Sequence, residues 1–467
     1  MKITIKDCFN KYSISSAALE VVNKIIFLTK KAYTTAYDEK TYYDFGSNIV
    51  DTVNAIEGEL RRKTFKFQPT KQIRKKAKLN KVRDIYLSTW KDKIVETWLN
   101  KSLNKLLNYW FTKNSYAYRT DDLGLDSCQN SISKEIQTRN FFVKRDISKY
   151  FYSIDKDILI KQLEELVNKD DYLFQLLKER IFFKYINKKK ELLDSELGIP
   201  FGSPLACTLS NIHLTHIDKG IRNFNVKYYR YADDILIMGS DPEEVLKAAE
   251  YFDSEVGKLN LQLKESYKQA YSWEEHPGFQ KVTKFTHLGL EYCSNRKMKF
   301  AVEKQRKIIN FVKRELKRAS TAIRKEKKLD KKIELAIEGV NNVLETRIRS
   351  AAITDYYLKH VNDENQLKMM DRIITEMVIS TVLSRPFKKK LFRIVPYKKL
   401  RDMGLPSLVH RNKLFKHGHL KVQFLSLHNK ILHDRHDDML KRREERIMHM
   451  KISKKIRKEK ALKNAKN

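Results

Sequence analysis

Residues 228–238 read Tyr228-Tyr229-Arg230-Tyr231-Ala232-Asp233-Asp234-Ile235-Leu236-Ile237-Met238. Apolar residues flank two adjacent acids, so the pattern predicts two short β-strands over Tyr228–Gly239, joined by a tight turn that presents both carboxylates. Aspartate is common in turns because its side chain caps its own backbone. Here the following strand is strongly apolar, which places the acids beside a core. Carboxylates held together there repel one another unless cations lie between them.

A second acid has a similar setting. Phe141-Phe142-Val143 predicts a short strand that ends at Asp146. If this strand lies beside the Tyr228–Gly239 hairpin, three carboxylates meet at one end of a sheet. Such oxygen ligands hold the pairs of divalent cations that in-line phosphoryl transfer uses. The structural alternative for Asp146 is a simple cap at a strand end.

The surrounding pattern predicts an α/β sheet domain with helices. A turn at Gly198-Ile199-Pro200 leads into a predicted helix over Ser203–Leu214, and Asp241-Pro242 predicts a helix start. Further strands are expected near Gln262 and over Thr286–Tyr292. After residue 300 the pattern is almost wholly helical and basic.

The composition points to a polyanionic partner. The 467 residues include 95 Lys plus Arg and 58 Asp plus Glu, a net charge of +37. Hydrophobic residues make up 41% of the chain, enough to build a sizeable core. This content and the charge surplus together exclude a disordered chain, a small disulfide scaffold and a metabolic enzyme with a near-neutral surface, and the surplus favours nucleic acid as partner. The four cysteines are predicted to be free thiols. With no apolar run near the roughly 18 residues of a membrane span, we expect a cytoplasmic protein.

Taken in order, the motifs resemble those of bacterial reverse transcriptases, including the enzymes of group II introns, retrons and antiphage-defence systems. The main motifs are Asp146-Ile147-x-x-x-Phe151, Gly198-Ile199-Pro200-Phe201-Gly202-Ser203-Pro204 and Tyr231-Ala232-Asp233-Asp234. The resemblance covers most of residues 65–292. It implies a right-hand polymerase fold, with an α/β palm and mainly α fingers, thumb and C-terminal extension.

The resemblance also implies the catalytic residues. Asp146, Asp233 and Asp234 would be catalytic and bind two Mg²⁺ ions, with Mn²⁺ as a substitute, and Ile147 would lie in the same metal site. Phe151 would pack under the sugar and exclude a 2′-hydroxyl. Tyr150 and Tyr152 stay open as alternatives to Phe151.

Further contacts are implied for the nucleotide and the nucleic acid. The other nucleotide-binding residues would be Lys76, Arg83, Gly202, Ser203 and Pro204. Lys75 and Lys78 are alternatives within the basic stretch 61–83. The primer and template contacts would be Phe201, Tyr231, Lys264, Leu288, Gly289, Lys313 and Arg314. Lys268 is an alternative to Lys264. Phe201 stands where many family members carry glutamine, so we expect it to hold the template differently, by stacking.

Four regions are predicted. They are an N-terminal helical region (1–60), reverse transcriptase fingers and palm (61–297), a helical thumb (298–390) and a basic helical C-terminal extension (391–467). The leading function is an RNA-directed DNA polymerase that uses deoxynucleotides and a structured noncoding RNA in bacterial antiviral defence. Three alternatives stay open: a template-independent or protein-primed DNA polymerase, an intron-encoded reverse transcriptase that aids splicing, and a catalytically idle RNA-binding scaffold. A homo-oligomer is also left open.

Overall fold

The computed structural model describes residues 2–26, 35–41, 44, 49–76, 82–119, 123–265, 269–345 and 353–420. Of the predicted contacts, Lys78, Lys268 and the side chain of Lys76 lie outside the described residues, as does the extension beyond residue 420. The chain divides into two compact units. The first contains Met1–Lys284 with Ser294–Arg296, and the second contains Phe285–Cys293 with Lys297–Asn467.

The first unit mixes helices and strands. Its helices are α1 (Ile5–Lys11), α2 (Ile14–Ile26), α3 (Ile49–Arg61), α4 (Trp90–Leu106), α5 (Leu125–Glu135), α6 (Tyr150–Ser153), α7 (Lys156–Leu166), α8 (Tyr172–Ile181), α9 (Pro204–Gly220) and α10 (Pro242–Lys258). Its strands are β1 (Thr70–Lys76), β2 (Val82–Leu87), β3 (Phe141–Asp146), β4 (Lys184–Ile186), β5 (Leu192–Asp194), β6 (Lys227–Tyr231), β7 (Asp234–Gly239), β8 (Ala270–Ser272) and β9 (Gln280–Lys281).

A five-stranded sheet in the order β6-β7-β3-β8-β9 forms the centre of this unit. Four consecutive residues of β7, Ile235–Met238, are fully buried, so both faces of this strand are covered. Helix α10 packs against β7 and β3. A strand covered on both faces needs a continuous apolar run, which is the pattern seen here. Burying each such side chain contributes about 1.5–3 kcal/mol.

The helix starts follow the predicted cap chemistry. Asp241 caps α10 by accepting hydrogen bonds from the backbone N–H groups of Glu243 and Glu244, with Pro242 in the first turn. Ser203 likewise caps α9, which continues past the predicted end to Gly220. The predicted hairpin and the strand ending at Asp146 are confirmed as β6, β7 and β3.

Two features of the first unit differ from the sequence prediction. The predicted strand near Gln262 is wrong: only an isolated bridge between Leu263 and Ile147 forms, because this segment meets just the end of β3. The unit also contains a four-stranded sheet in the order β2-β1-β4-β5, which we call the fingers sheet after the predicted fingers segment. Strand β5 is exposed and β2 is exposed to half-buried, so these strands lack the hydrophobic pattern that identifies buried strands.

The second unit is mainly helical. Its strands are β10 (Lys284–His287), β11 (Leu290–Cys293) and β12 (Met298–Phe300), which form one small sheet in that order. Its helices are α11 (Val302–Lys325), α12 (Leu329–Leu344), α13 (Ile353–Leu358), α14 (Glu364–Val382), α15 (Tyr397–Asp402) and α16 (Leu408–Lys416). The strands predicted over Thr286–Tyr292 are confirmed as β10 and β11. In the described part of the chain, no helix combines the length and the apolar character that crossing a membrane requires.

Candidate active site

The β6–β7 hairpin and β3 bring the three predicted carboxylates to one end of the central sheet. Asp234 pairs with Tyr231 across the hairpin, so Ala232 and Asp233 form the turn. Ala232 has φ 61°, the left-handed conformation that tight hairpin turns require. On the other side of β7, Asp234 pairs directly with Asp146 of β3. Side chains of directly opposed residues project from the same face of a sheet.

The backbone around these acids is tightly connected. The Ile147 N–H donates to the carbonyl of Asp233 at 3.3 Å, and the Lys264 N–H donates to the carbonyl of Asp146 at 3.0 Å. Ile147 itself is fully buried. The end of β3 is therefore fixed both to the hairpin turn and to the segment that carries Lys264. The metal-site role of Ile147 stays a prediction.

The site concentrates negative charge. Burial raises the pKa of Asp233, and the charges of Asp146 and Asp234 raise it further. The Lys264 ammonium forms an ion pair with the Asp146 carboxylate. Burial lowers the pKa of Lys144, while the nearby charges of Asp234 and Asp146 oppose that shift. Lys144 was not predicted as a site residue; it lies two positions before Asp146, on the same face of β3.

The donor set fits a hard divalent cation. Carboxylate oxygens are the ligands that Mg²⁺ prefers in proteins. The pKa of Asp233 is raised first by burial and then by the charges of Asp146 and Asp234, and a bound cation would relieve that repulsion. Within the described ranges, no group of three or more Asp, Glu, His or Cys side chains is close enough to hold a metal ion jointly. The fit therefore rests on the chemistry of the donors and on their electrostatics.

A fully buried ion pair connects the hairpin to α9. Arg230 of β6 donates to Asp218 of α9 at 2.7 Å from Nε and at 2.5 Å from Nη2, and both side chains are fully buried. Arg230 Nη1 also donates to Asn211 at 3.0 Å, and the Tyr228 hydroxyl donates to Asp218 at 2.8 Å. Sequence reasoning missed this network. The available signal was an arginine inside an otherwise apolar strand, since a buried guanidinium needs a partner.

The segment Ser115–Arg119 packs along β6. The Arg230 N–H donates to the carbonyl of Asn114, and the Tyr116 N–H donates to the carbonyl of Arg230, each at 2.9 Å. Asn211 adds a hydrogen bond to the carbonyl of Ala117 at 2.8 Å. Burial raises the pKa of the Tyr118 phenol, and the nearby Asp233 charge raises it further. This segment therefore reaches from the buried network to the carboxylates.

Most of the predicted nucleotide-binding residues line a cavity of 390 Å³. The predicted residues that line it are Phe151, Phe201, Gly202, Ser203 and Pro204. Tyr118 also lines the cavity, which connects it to the neighbourhood of Asp233. Asn104 of α4 contributes a buried amide whose Oδ1 has no hydrogen-bond partner among the residues that the structure describes. The cavity thus combines aromatic walls with an unsatisfied polar acceptor.

The three adjacent aromatic residues 150–152 have different surroundings. Tyr150 is 2% exposed and donates its hydroxyl hydrogen to the carbonyl of Ser210 at 2.5 Å. Tyr152 donates to the carbonyl of Asp84 at 2.6 Å. Phe151 alone of the three lines the cavity, with its ring centroid 5.3 Å from that of Phe201. This geometry favours Phe151 over its neighbours for the position next to the sugar.

Two glycines allow close backbone approach around the cavity. A Cβ at Gly198 would lie 2.7 Å from the carbonyl oxygen of Phe151, and Gly198 has φ 77°. A Cβ at Gly202 would lie 2.7 Å from the Ile85 side chain on β2, and Gly202 has φ 117°. The Tyr86 N–H also donates to the carbonyl of Phe201 at 2.9 Å. Gly202 therefore packs against the fingers sheet, and its predicted approach to the nucleotide stays a prediction.

The fingers hairpin carries exposed cations. Arg83 on β2 pairs in register with Lys75 on β1, and both side chains are exposed. Burial and the charge of Asp84 raise the pKa of Tyr152 to about 12, while Arg83 acts in the opposite direction. The Tyr152 ring lies 5.7 Å from that of Phe201. Arg83 is thus near the aromatic wall of the cavity.

Four of the predicted primer and template residues lie in the second unit: Leu288, Gly289, Lys313 and Arg314. The remaining three, Phe201, Tyr231 and Lys264, lie in the first unit. Leu288 and Gly289 form the β10–β11 turn, with φ 47° and 84°. A Cβ at Gly289 would lie 2.6 Å from the Lys304 side chain. Lys313 and Arg314 are exposed on α11, where cations recur at three- to four-residue spacing. Their contacts with nucleic acid stay predictions.

Residues 73–292 match the protein family described as reverse transcriptase (RNA-dependent DNA polymerase). This segment is a reverse transcriptase domain. It contains all three carboxylates, all but one of the residues that line the 390 Å³ cavity (Glu20 is the exception) and most of the fingers sheet. Together with the mixed sheet and helix architecture, the match confirms the predicted polymerase fold class.

The reverse transcriptase domain has relatives among fungal intron proteins. The COX1/OXI3 intron 2 protein of Saccharomyces cerevisiae is 26% identical over 221 residues, covering 45% of this chain and 25% of that protein. The 91 kDa protein in the cob intron of Schizosaccharomyces pombe is 25% identical over 179 residues, covering 38% of this chain and 22% of that protein. The chain therefore spans about a quarter of the length of these curated relatives.

Solved telomerase structures show a more distant likeness. Apo telomerase from Candida tropicalis covers 75% of this chain and 68% of its own, with a TM-score of 0.42 and 11% identity. Telomerase from Candida albicans, in complex with a fragment of telomeric RNA, covers 80% of this chain and 71% of its own, with a TM-score of 0.40 and 10% identity. Neither similarity identifies a substrate for this chain.

Proposed function

We propose that the reverse transcriptase domain is an RNA-directed DNA polymerase that adds deoxynucleotides to a 3′-hydroxyl. One observation carries the proposal: Asp146 and Asp234 are paired across β3 and β7, with Asp233 in the adjoining turn. Two-metal phosphoryl transfer requires such converging carboxylates. Their position inside a segment that matches the reverse transcriptase family supports this chemistry over a simple strand-end cap.

The proposed reaction replaces one phosphorus–oxygen bond by another and releases the proton of the 3′-hydroxyl to solvent. The oxygen of the 3′-hydroxyl attacks the α-phosphorus of the nucleoside triphosphate, the bond to the bridging oxygen breaks, and pyrophosphate leaves with that electron pair. Asp146, Asp233 and Asp234 would hold two Mg²⁺ ions, or Mn²⁺ in their place, which when bound lower the pKa of the hydroxyl and stabilise the leaving charge. Phe151 would exclude a 2′-hydroxyl, and Arg83 with Lys76 would contact the triphosphate.

The net charge of +37 supports a nucleic-acid partner that extends beyond the active site. Binding through phosphates is strong at low salt and independent of sequence. The exposed cations on α11, including Lys313 and Arg314, are candidates for such contacts. We therefore include RNA template and DNA product among the partners.

The test uses the full-length protein with its co-purified RNA, Mg²⁺ and labelled deoxynucleotides. We expect wild-type protein to make DNA. We expect Asp233→Asn to reduce that activity by at least about 100-fold, because replacing a residue that merely supports a metal ligand already costs about 10–100-fold. Asp157→Asn, an exposed acid on α7, is the matched control and should stay active. RNA binding should be equal in all three proteins.

Ribonuclease treatment before the reaction separates the alternatives. Loss of product supports RNA-templated synthesis. Product that survives the treatment favours the template-independent or protein-primed polymerase, and a covalent protein–DNA adduct identifies the latter. If the wild-type protein binds RNA but makes no DNA under any condition, the polymerase proposal fails and the scaffold remains.

Two cellular roles follow from different observations. The resemblance to bacterial enzymes suggests synthesis on a dedicated noncoding RNA in antiviral defence. The similarity to fungal intron proteins favours an intron-encoded enzyme as the second candidate. Sequencing the co-purified RNA distinguishes them, because an intron transcript supports the second role and a separate structured RNA supports the first.

A further inference from the structure

A second cavity, of 530 Å³, lies within the second compact unit. Its lining comes mainly from the helices α14, α15 and α16. On α14 the lining residues Lys368, Asp371, Arg372 and Thr375 recur at three- to four-residue spacing, so they form one stripe along the helix. The volume lies within the range of small-ligand sites. This cavity is separate from the one in the reverse transcriptase domain.

Cationic side chains dominate its lining. Lys368 and Arg372 of α14 each form an ion pair on their own helix, with Glu364 at 2.9 Å and Glu376 at 3.0 Å. Arg401 of α15 and Lys413 of α16 are exposed. In the part of the chain that the structure describes, neither of these two forms an ion pair. Arg401 acts at longer range on Asp371, and Lys413 acts on Glu364, but neither cation is held in a direct ion pair, so both can turn toward a bound anion.

Asp371, the carboxylate in the lining, accepts hydrogen bonds that connect two helices. Asp371 accepts hydrogen bonds from the Ser407 hydroxyl at 2.6 Å and from the Leu408 N–H at 2.7 Å. A third, longer bond comes from the Val409 N–H at 3.3 Å. These bonds attach the start of α16 to α14. Asp371 is the one carboxylate among the described residues of the lining, against the four cations Lys368, Arg372, Arg401 and Lys413, so the lining as a whole favours an anion.

Two aromatic rings complete the lining. Tyr397, at the start of α15, is 44% exposed and lies one turn before Arg401, whose Nη1 is 3.5 Å from the tyrosine oxygen. Phe392 is partly buried, and its ring packs edge-on against Phe387 at 5.4 Å. An exposed ring beside exposed cations is the arrangement that proteins use to bind single-stranded nucleic acid by base stacking and phosphate contact.

We propose that this cavity binds one unpaired nucleotide of single-stranded RNA, with the base stacked on Tyr397 and the phosphate contacted by Arg401 and Lys413. The choice of RNA rests on the proposed function, but binding requires no polymerisation chemistry. A simple anion would not need the rings, and a base inside a duplex cannot stack on them because it is already paired and stacked. The second unit thereby gains a defined contact with RNA.

Binding of full-length protein to a labelled ten-nucleotide oligoadenylate, without Mg²⁺ or deoxynucleotides, tests the proposal. We expect Tyr397→Ala to weaken binding about fivefold or more at both low and moderate salt, because stacking carries no net charge. Tyr397→Phe keeps the ring and should bind like wild type. Lys398→Ala is the control: Lys398 is exposed next to Tyr397 but does not line the cavity, so its small effect should vanish as salt rises.

A photo-crosslink adds a positional readout. An oligonucleotide carrying one 4-thiouridine should crosslink to the peptide that contains Tyr397. Equal affinity of Tyr397→Ala and wild type at moderate salt, without that crosslink, would overturn the proposal. An equal loss of affinity for an RNA duplex would also overturn it, by indicating backbone binding alone. Failure of the polymerase proposal is a separate result, since it appears as absent DNA synthesis while these binding measurements are unchanged.

Discussion

Arg230 and Asp218 form a fully buried ion pair between α9 and the hairpin that carries Asp233 and Asp234. Arg230 Nη1 also lies 3.3 Å from the carbonyl oxygen of Ala232, the first residue of the turn. The pair therefore connects α9 to the backbone that positions the candidate catalytic acids. A buried charge that loses its partner is costly, whereas replacing both charges by apolar groups is often close to neutral.

The first prediction follows from this pair. Arg230→Met should destabilise the protein by about 3–5 kcal/mol, because it leaves the Asp218 carboxylate buried without its partner. The double variant Arg230→Met/Asp218→Leu should recover most of that loss. Urea unfolding of the full chain measures both, with the exposed Arg222→Met as control. If the double variant is as unstable as the single one, the stranded charge is not the cause.

Sugar selection supplies the second prediction. Phe151→Ala should raise ribonucleotide incorporation relative to deoxynucleotide incorporation by at least about 10-fold, because it removes the ring that lines the 390 Å³ cavity. Single-nucleotide extension with each sugar measures the ratio of kcat/KM values. Tyr150→Phe is the control: it loses only a core hydrogen bond and should leave the ratio unchanged. An unchanged ratio in Phe151→Ala would assign sugar selection elsewhere.

The third prediction concerns the contact between Gly202 and β2. Gly202→Ala should cost about 1–3 kcal/mol, because the residue has φ 117° and a Cβ would lie 2.7 Å from Ile85. We expect the KM for deoxynucleotides to rise as well, since Phe201 and Ser203 adjoin the displaced backbone. Gly257→Ala in α10 is the matched control, because its Cβ meets no atom within 4 Å. That variant should be slightly stabilised, and similar losses in both variants would contradict the close-contact argument.

The fourth prediction is a pH dependence of stability. Burial raises the pKa of Asp92 from 3.8 to about 7, and Glu96 raises it while Arg180 lowers it. The folded state therefore binds this proton more tightly than the unfolded state, so Asp92 reduces stability progressively as the pH rises from about 4 to 7. Asp92→Asn removes that loss, because its amide needs no deprotonation.

We expect Asp92→Asn to be more stable than wild type by about 1–3 kcal/mol near pH 8, with the difference disappearing toward pH 4. The existing hydrogen bond from the Gln68 N–H at 3.0 Å can be kept by the amide oxygen. Asp170→Asn, at an exposed acid, should show no such trend. A difference that grows as the pH falls would reverse the sign of the argument.

Local patterns predicted those elements whose causes are themselves local. The β6–β7 hairpin follows from apolar runs around a turn, and α10 follows from its Asp241-Pro242 cap. The fingers sheet was not predicted because β1 pairs with β4 through residues as distant as Thr70 and Tyr185, and β4 has no buried residue that would mark it as a strand. The prediction of a strand near Gln262 was wrong for a related reason. A segment forms a strand only where a partner strand runs beside it, and here only Leu263 meets a partner, Ile147.

The sequence by itself determined which residue types could perform the chemistry and where the strands that carry them begin and end. Hydrophobic periodicity and helix capping act over a few residues, so they can be read directly from the chain. Only the tertiary structure decided that Asp146 faces Asp234, that Phe151 lines the cavity while Tyr150 enters the core, and that Lys264 pairs with an acid 118 residues earlier. Those relationships depend on strand register and on burial, which arise from contacts between segments far apart in the chain.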